Sequence, residues 1–290
     1  MRALPALKAV LVSLWFLGFL FMLSAEAIFG GEDDLRDEHD EILKRIKDSS
    51  IDEPLELESS EENNHVHGEI YGLVEYGFDK FADAFKSASN WCEVIFLHPN
   101  VKACVAAELD NGSATLRVHM GSKHSQTLEE AMVMNLTFRM LARKDGYLET
   151  ELAGEEGPYG TRNVRMEMEA IPSGKERTLL RFFYSLEIGG ATRVTMDFYL
   201  STVGGDKVGF SKTKDNDELV GGQLGMIERN VMRFYLALQA YLDTLDKPEG
   251  ERLQARLERW FDLTNRYPEQ LGELDRETYL SQKMRKMQEE

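Results

Sequence analysis

A chain of 290 residues with 51 acidic and 34 basic side chains carries a formal net charge of −17. Such an acidic balance disfavours a phosphate-backbone partner, which needs clustered Lys and Arg, and it disfavours charge-driven binding to an anionic membrane surface. With 42% hydrophobic residues, 23 Gly and 7 Pro, the composition excludes collagen-like and Pro-rich chains and supports a sizeable core in one large or two small domains.

Arg2 and Lys8 form a short positive start, and residues 9–23 are apolar apart from Ser13 and Gly18. Ala25-Glu26-Ala27 follows as a small-x-small cleavage signature. These three parts describe a secretory signal peptide over residues 1–27, with a mature chain starting at Ile28. The apolar run is short for a bilayer span of ~20 residues. The expected location is periplasmic or secreted.

Residues 28–65 hold 14 acidic against 4 basic side chains, so most of the charge excess sits there. Few aromatics and no strand pattern predict an acidic, largely disordered leader, with a transient helix near residues 37–47. Glu32-Asp33-Asp34 lacks the ordered ligand spacing of a calcium loop.

From Val66 the pattern turns to secondary structure. Residues 67–76 read as a first strand, broken at Gly77-Phe78. Residues 79–86 carry Phe81, Ala84 and Phe85 at helical spacing, and residues 90–96 suggest a second short helix ended by His98-Pro99. The two cysteines, Cys92 and Cys104, flank that turn. In an exported chain an even pair predicts a disulfide, with two buried free thiols as the alternative; two Cys make only half a metal site.

Strands at period two follow. Leu116, Val118 and Met120 share one parity; Met132, Met134, Leu136, Phe138 and Met140 form the next row. Val164, Met166, Met168 and Ala170 come next, then Phe182, Tyr184, Leu186 and Ile188, then Val194, Met196, Phe198 and Leu200. Turn signals such as Lys144-Asp145-Gly146 and Gly189-Gly190 punctuate an antiparallel meander with one apolar and one polar face. After Gly221-Gly222 the period changes: Leu224, Ile227, Val231, Phe234, Leu238 and Leu245 mark one long amphipathic helix of ~39 Å, able to lie along the apolar face of a curved sheet. Residues 247–290 suggest a helical extension, with Leu253, Leu257, Trp260 and Phe261 on one stripe and a more polar helix from Pro268. Docking back on the domain is the simpler use of that stripe; binding a protein partner in the envelope is the other.

Strand, two short helices, a run of antiparallel strands and one long C-terminal helix form an order that resembles the helix-grip fold of the START-like (SRPBCC) superfamily, which includes polyketide cyclase-like and lipid-transport-like proteins. The resemblance covers residues 66–246 and rests on element order, so no family residue is carried over. It implies an α+β architecture, a curved antiparallel sheet wrapped on the long helix, with a cavity for a hydrophobic ligand.

Nine of the 13 Met fall between Met120 and Met232, most on the apolar parity. Unbranched and polarizable, Met suits an adaptable apolar lining. The candidate ligand-binding residues are therefore Met134, Phe138, Met166, Met168, Tyr184, Met196, Phe198 and Phe234. Arg139, Arg181, Arg193 and His119 have the opposite parity and belong to the outer face. No Gly-x-Ser-x-Gly, His-Glu-x-x-His or phosphate-loop motif is present in the sequence. His65-x-His67 lacks a third ligand, and Gly221, Gly222 and Gly225 lack the phosphate-loop lysine. No cofactor or metal is expected. The leading expectation is an exported binding or transport module for a hydrophobic small molecule or lipid. A cyclase- or hydrolase-like enzyme is the alternative, and it requires an inward pair such as His119 and Asp197.

Overall fold

Eight strands pair antiparallel in the order β1-β2-β8-β7-β6-β5-β4-β3. They are β1 Leu55–Glu62, β2 His65–Val74, β3 Val101–Glu108, β4 Ala114–Met120, β5 Met132–Lys144, β6 Tyr147–Glu156, β7 Arg162–Pro172 and β8 Thr178–Glu187. The computed structural model describes residues 32–109, 113–121, 126–190, 192–194, 207–213 and 217–286. Residues 1–27, expected from the sequence to be a signal peptide, lie outside these.

Between β2 and β3 come α3 (Phe78–Ala84) and α4 (Ala88–Phe96). Ser87 caps α4, its hydroxyl accepting from the Asn90 amide. The long helix, α5, runs Gly222–Leu242 and buries Ile227, Val231, Phe234 and Leu238. An antiparallel sheet with one long helix packed along it is the helix-grip arrangement expected from the order of elements.

The helix packs chiefly over β1, β2 and β8. Two glycines of β2 admit it: a Cβ at Gly72 would lie 2.4 Å from the Tyr235 ring, and one at Gly68 would lie 3.0 Å from Val231. Cys92 of α4 and Cys104 of β3 form the expected disulfide, with 5.3 Å between their Cα atoms. It ties the short helix to the far edge of the sheet.

The structure corrects the sequence reading in three places. First, the acidic segment 28–65 is not a disordered leader. It folds as α1 (Glu32–Asp37), α2 (His39–Asp48) and β1. Leu35, Ile42 and Ile46 pack on Tyr147, Ile171 and Leu179, forming a second small core on the outer face of the sheet. Leu55 and Leu57 alternate into the main core. Four or five well-spaced apolar side chains suffice when a sheet face is there to receive them, whatever the surrounding charge.

Second, β3 and β6 are strands that the periodicity did not mark. Third, the strand expected across Val194 to Leu200 does not start where proposed: residues 192–194 are helical and Val194 is exposed. Met196 and Phe198 lie outside the described residues.

The extension folds as α6 (Glu249–Thr264), α7 (Pro268–Leu271) and α8 (Arg276–Lys286). Leu257, Trp260 and Leu263 are buried in the main core. Trp260 donates its indole N–H to the Arg233 carbonyl at 3.2 Å and stacks on Tyr279, whose hydroxyl reaches the Leu97 carbonyl at 2.8 Å. Buried Lys283 donates to the carbonyls of Phe96, His98 and Val101, satisfying the end of α4 with a cation where the helix dipole favours one. The extension thus docks on its own domain.

Candidate functional site: the inner face of the sheet

Strand register assembles the site. Met140, Thr150, Met168, Phe182 and Ile70 lie side by side on five adjacent strands. One row along, Phe138, Leu152, Met166, Tyr184 and Gly68 do the same. Met134 belongs to the same face, paired with Val118. Because side chains alternate at period two, each row stays on one side of the sheet.

Six of the eight candidate residues converge in one continuous buried cluster: Met134, Phe138, Met166, Met168, Tyr184 and Phe234. Met168 is fully buried. Phe234 of α5 bridges helix and sheet, its ring 5.5 Å from Tyr184 edge-on and 6.4 Å from Phe182. Trp91 of α4 stacks on Phe182 at 6.4 Å, and His98 stacks on Phe234 at 5.3 Å.

Polar groups on this face are few, and three carry no hydrogen bond. The Trp91 indole N–H and the Thr150 hydroxyl are buried without a partner. The Tyr184 hydroxyl also makes no hydrogen bond, and burial alone pushes its pKa upward. His98 is held well below the ordinary histidine range, first by burial and then by the nearby cations Arg233 and Lys283. It is a neutral imidazole whose Nδ1 accepts from the Asn100 amide at 3.3 Å. Sequence reasoning missed Trp91 and Thr150. Thr150 had a signal, since it shares the parity of Leu148 and Leu152; Trp91 had none, since its position depends on how α4 meets the sheet.

The opposite face gathers the charges. Arg181 pairs with Glu69 and with Glu169, the latter at 3.0 Å. Tyr147 donates to Glu169 at 2.6 Å. Arg139 and Arg165 clasp Glu151 at 2.7 and 2.9 Å. Arg193 pairs with Glu61, at the rim. Burial is the first cause that raises the Glu169 pKa and pushes Glu167 up to about 8. The arginines are therefore structural partners on the outer side, as their parity predicts. His119 lies on the same outer parity of β4, so it supplies no inward acid or base; Asp197 lies outside the described residues.

An open cleft of about 420 Å³ lies elsewhere, between α2, β1 and Phe210-Ser211. Its walls include Glu41, Lys44, Arg45 and Glu56, and none of the candidate residues borders it. Among the described residues no group of His, Cys, Asp and Glu could hold a metal ion.

Comparison with solved structures finds similarity at low identity. The chain is similar to a START superfamily protein from Mycobacterium smegmatis, with 13% identity, 47% of this chain and 79% of that chain covered, and a TM-score of 0.32. It is similar to the ZhuI aromatase/cyclase from a Streptomyces species, with 16% identity, 69% and 96% covered, and a TM-score of 0.36. It is also similar to human StAR-related lipid transfer protein 5, with 14% identity, 72% and 94% covered, and a TM-score of 0.37. No protein-family profile matches the chain, and no curated protein sequence matches it.

Proposed function

We propose that this protein binds a hydrophobic small molecule or lipid on the Met-rich inner face of its sheet, beside the long helix. The observation that carries the proposal is the convergence of Met134, Phe138, Met166, Met168, Tyr184 and Phe234 in one buried apolar cluster. Methionine side chains rearrange at low cost, so a face built from them can close on itself when empty and yield to an apolar guest. The charges of β7 and β8 are kept to the outer face, which leaves the rows around Met166 and Met168 free of competing ions. Export fits this reading: the signal-peptide pattern over residues 1–27 and the Cys92–Cys104 bridge both suit an oxidising compartment.

Delipidated protein should take up an apolar fluorescent probe saturably, with about one probe per chain, and gentle extraction of the native protein should release a co-purifying hydrophobic molecule. Absence of any probe uptake refutes the proposal. N-terminal sequencing of protein recovered outside the cytoplasm should begin at Ile28; an intact Met1 terminus refutes the export part.

A further inference from the structure

An unpaired polar group in an apolar interior is costly, because desolvation is not offset by a hydrogen bond. Native cores leave few such groups, and each one calls for an explanation. The inner face holds two, the Trp91 N–H and the Thr150 hydroxyl, with the Tyr184 hydroxyl on the same face. Thr150 is 1% exposed, Trp91 2% and Tyr184 5%. The Thr150 hydroxyl and the Trp91 N–H have no partner, and the Tyr184 hydroxyl makes no hydrogen bond. Register sets their spacing. Thr150 lies two strands from Phe182, about 10 Å across the sheet, and Trp91 stacks on Phe182. Tyr184 stands one row away on the same strand as Phe182.

Their chemistry restricts what could satisfy them. The Trp91 indole only donates, so its partner must accept. The Thr150 and Tyr184 hydroxyls donate or accept. The two central inner rows, from Met140 to Ile70 and from Phe138 to Gly68, hold no Lys, Arg, Asp or Glu; past the bulge of β5, Arg143 stands in the next inner row opposite Leu148, where it pairs with Asp83. A buried carboxylate, phosphate or ammonium lodged against these two rows would therefore meet no counter-ion from the strands.

Resting on the binding function proposed above, we infer that the guest is an uncharged apolar molecule bearing oxygen: a carbonyl or ether oxygen placed at the Trp91 N–H, with any second oxygen function in reach of Thr150 or Tyr184. A pure hydrocarbon would leave the three groups unpaired, and a fatty acid or phospholipid head group would be buried without a charge partner.

The test is competition against the bound fluorescent probe by three molecules of equal chain length: tetradecane, the corresponding methyl ketone, and myristate. The full chain is used throughout. The ketone is expected to bind about tenfold more tightly than the alkane, as one hydrogen bond to a previously unpaired donor supplies, and more tightly than myristate. Trp91→Phe should erase the preference for ketone over alkane. Thr150→Val should reduce it a few-fold for a ketone carrying a second, distal hydroxyl. Equal affinity for alkane and ketone, a preference that survives Trp91→Phe, or tightest binding of myristate would each overturn the inference while leaving hydrophobic binding intact. Failure of all three molecules to displace the probe, or failure of the probe to bind, overturns the binding function itself. If Trp91→Phe does not fold, Tyr184→Phe takes its place for the hydroxyl-bearing ketone, with an unchanged preference counting against the inference.

Discussion

On β7, Met166 and Met168 point to one side of the sheet while Glu167 and Glu169 point to the other, and all four are buried. The neighbouring strands repeat the division: Tyr184 and Phe182 face inward, Arg181 and Glu69 outward. Outward, buried charge is answered by charge, with Arg181 set between two carboxylates and Arg139 and Arg165 meeting on a third. Inward, apolar side chains surround three polar groups that nothing answers. The two faces share a backbone and differ by one residue of register. The outer face is an ion-pair network around Glu151 and Glu169, with the Glu167 carboxyl buried in it without a hydrogen bond; the inner face is an apolar surface with neutral hydrogen bonds still to make.

Acid–base behaviour tests the outer face first. Burial raises Glu167 from an ordinary 4.5 to about 8. Between those values the folded protein keeps a proton that the unfolded chain has lost. The folded state therefore binds more protons, and stability falls as pH rises through this window and levels off above about 8. At roughly 1.4 kcal/mol per pH unit of difference, the decline reaches as much as about 5 kcal/mol. Urea denaturation at a series of pH values should show the decline, and Glu167→Gln should flatten it. A slope unchanged in that variant would remove Glu167 from the account.

Removing a partner is the next largest perturbation. Arg181→Ala leaves Glu69 and the buried Glu169 uncompensated, which should cost about 3–5 kcal/mol in chemical denaturation. A loss below about 1 kcal/mol would place the pair with ordinary surface ion pairs, contrary to its burial.

The disulfide gives an effect of intermediate size. Cys92 and Cys104 are 12 residues apart, and closing so short a loop stabilises by about 3 kcal/mol in the chain-entropy account. Cys104→Ser should lower the unfolding midpoint accordingly. Peptide mapping without reductant should recover the two half-cystines linked, and free thiols in the exported protein would refute the bridge.

The comparison of faces also explains what the sequence discloses and what it hides. Period two separates Met166 and Met168 from Glu167 and Glu169 without any structure, because alternation is a property of the strand itself. The long helix is legible for the same reason at period 3.6. The leader was misread because its charge was weighed above its spacing. Ile42 and Ile46, four apart, and Leu55 and Leu57, two apart, are the correct signals in a segment otherwise full of Glu and Asp. Helix α2 has no stability to declare on its own; it forms against Tyr147, Ile171 and Leu179, residues more than a hundred positions away. Unpaired hydrogen-bonding groups lie further still from sequence reasoning. Whether the Trp91 N–H finds a partner depends on every element around it, and no local pattern records the answer.

The smallest predicted effect bears on whether the inner face yields to a guest or is packed for good. Met168 is fully buried, in register between Thr150 and Phe182. Truncating a buried Met to Ala costs about 2–5 kcal/mol where the surroundings cannot relax into the space, and in the empty protein Met168→Ala should fall in that range. A guest on the same face changes the sum, because its atoms occupy the volume that the side chain left and restore lost contacts. Measured by denaturation with saturating apolar probe, the difference between wild type and Met168→Ala should shrink by about 1–2 kcal/mol, the part of the cost that belongs to the cavity and not to the transfer of the missing methylenes. Met232, fully buried on α5, is the matched control. Met232→Ala, on the helix and outside the paired rows of β5–β8, should recover less with probe than Met168→Ala. Equal recovery at both positions would mean that the probe binds without regard to face. No recovery at Met168 would mean that the methionines are filling and nothing more.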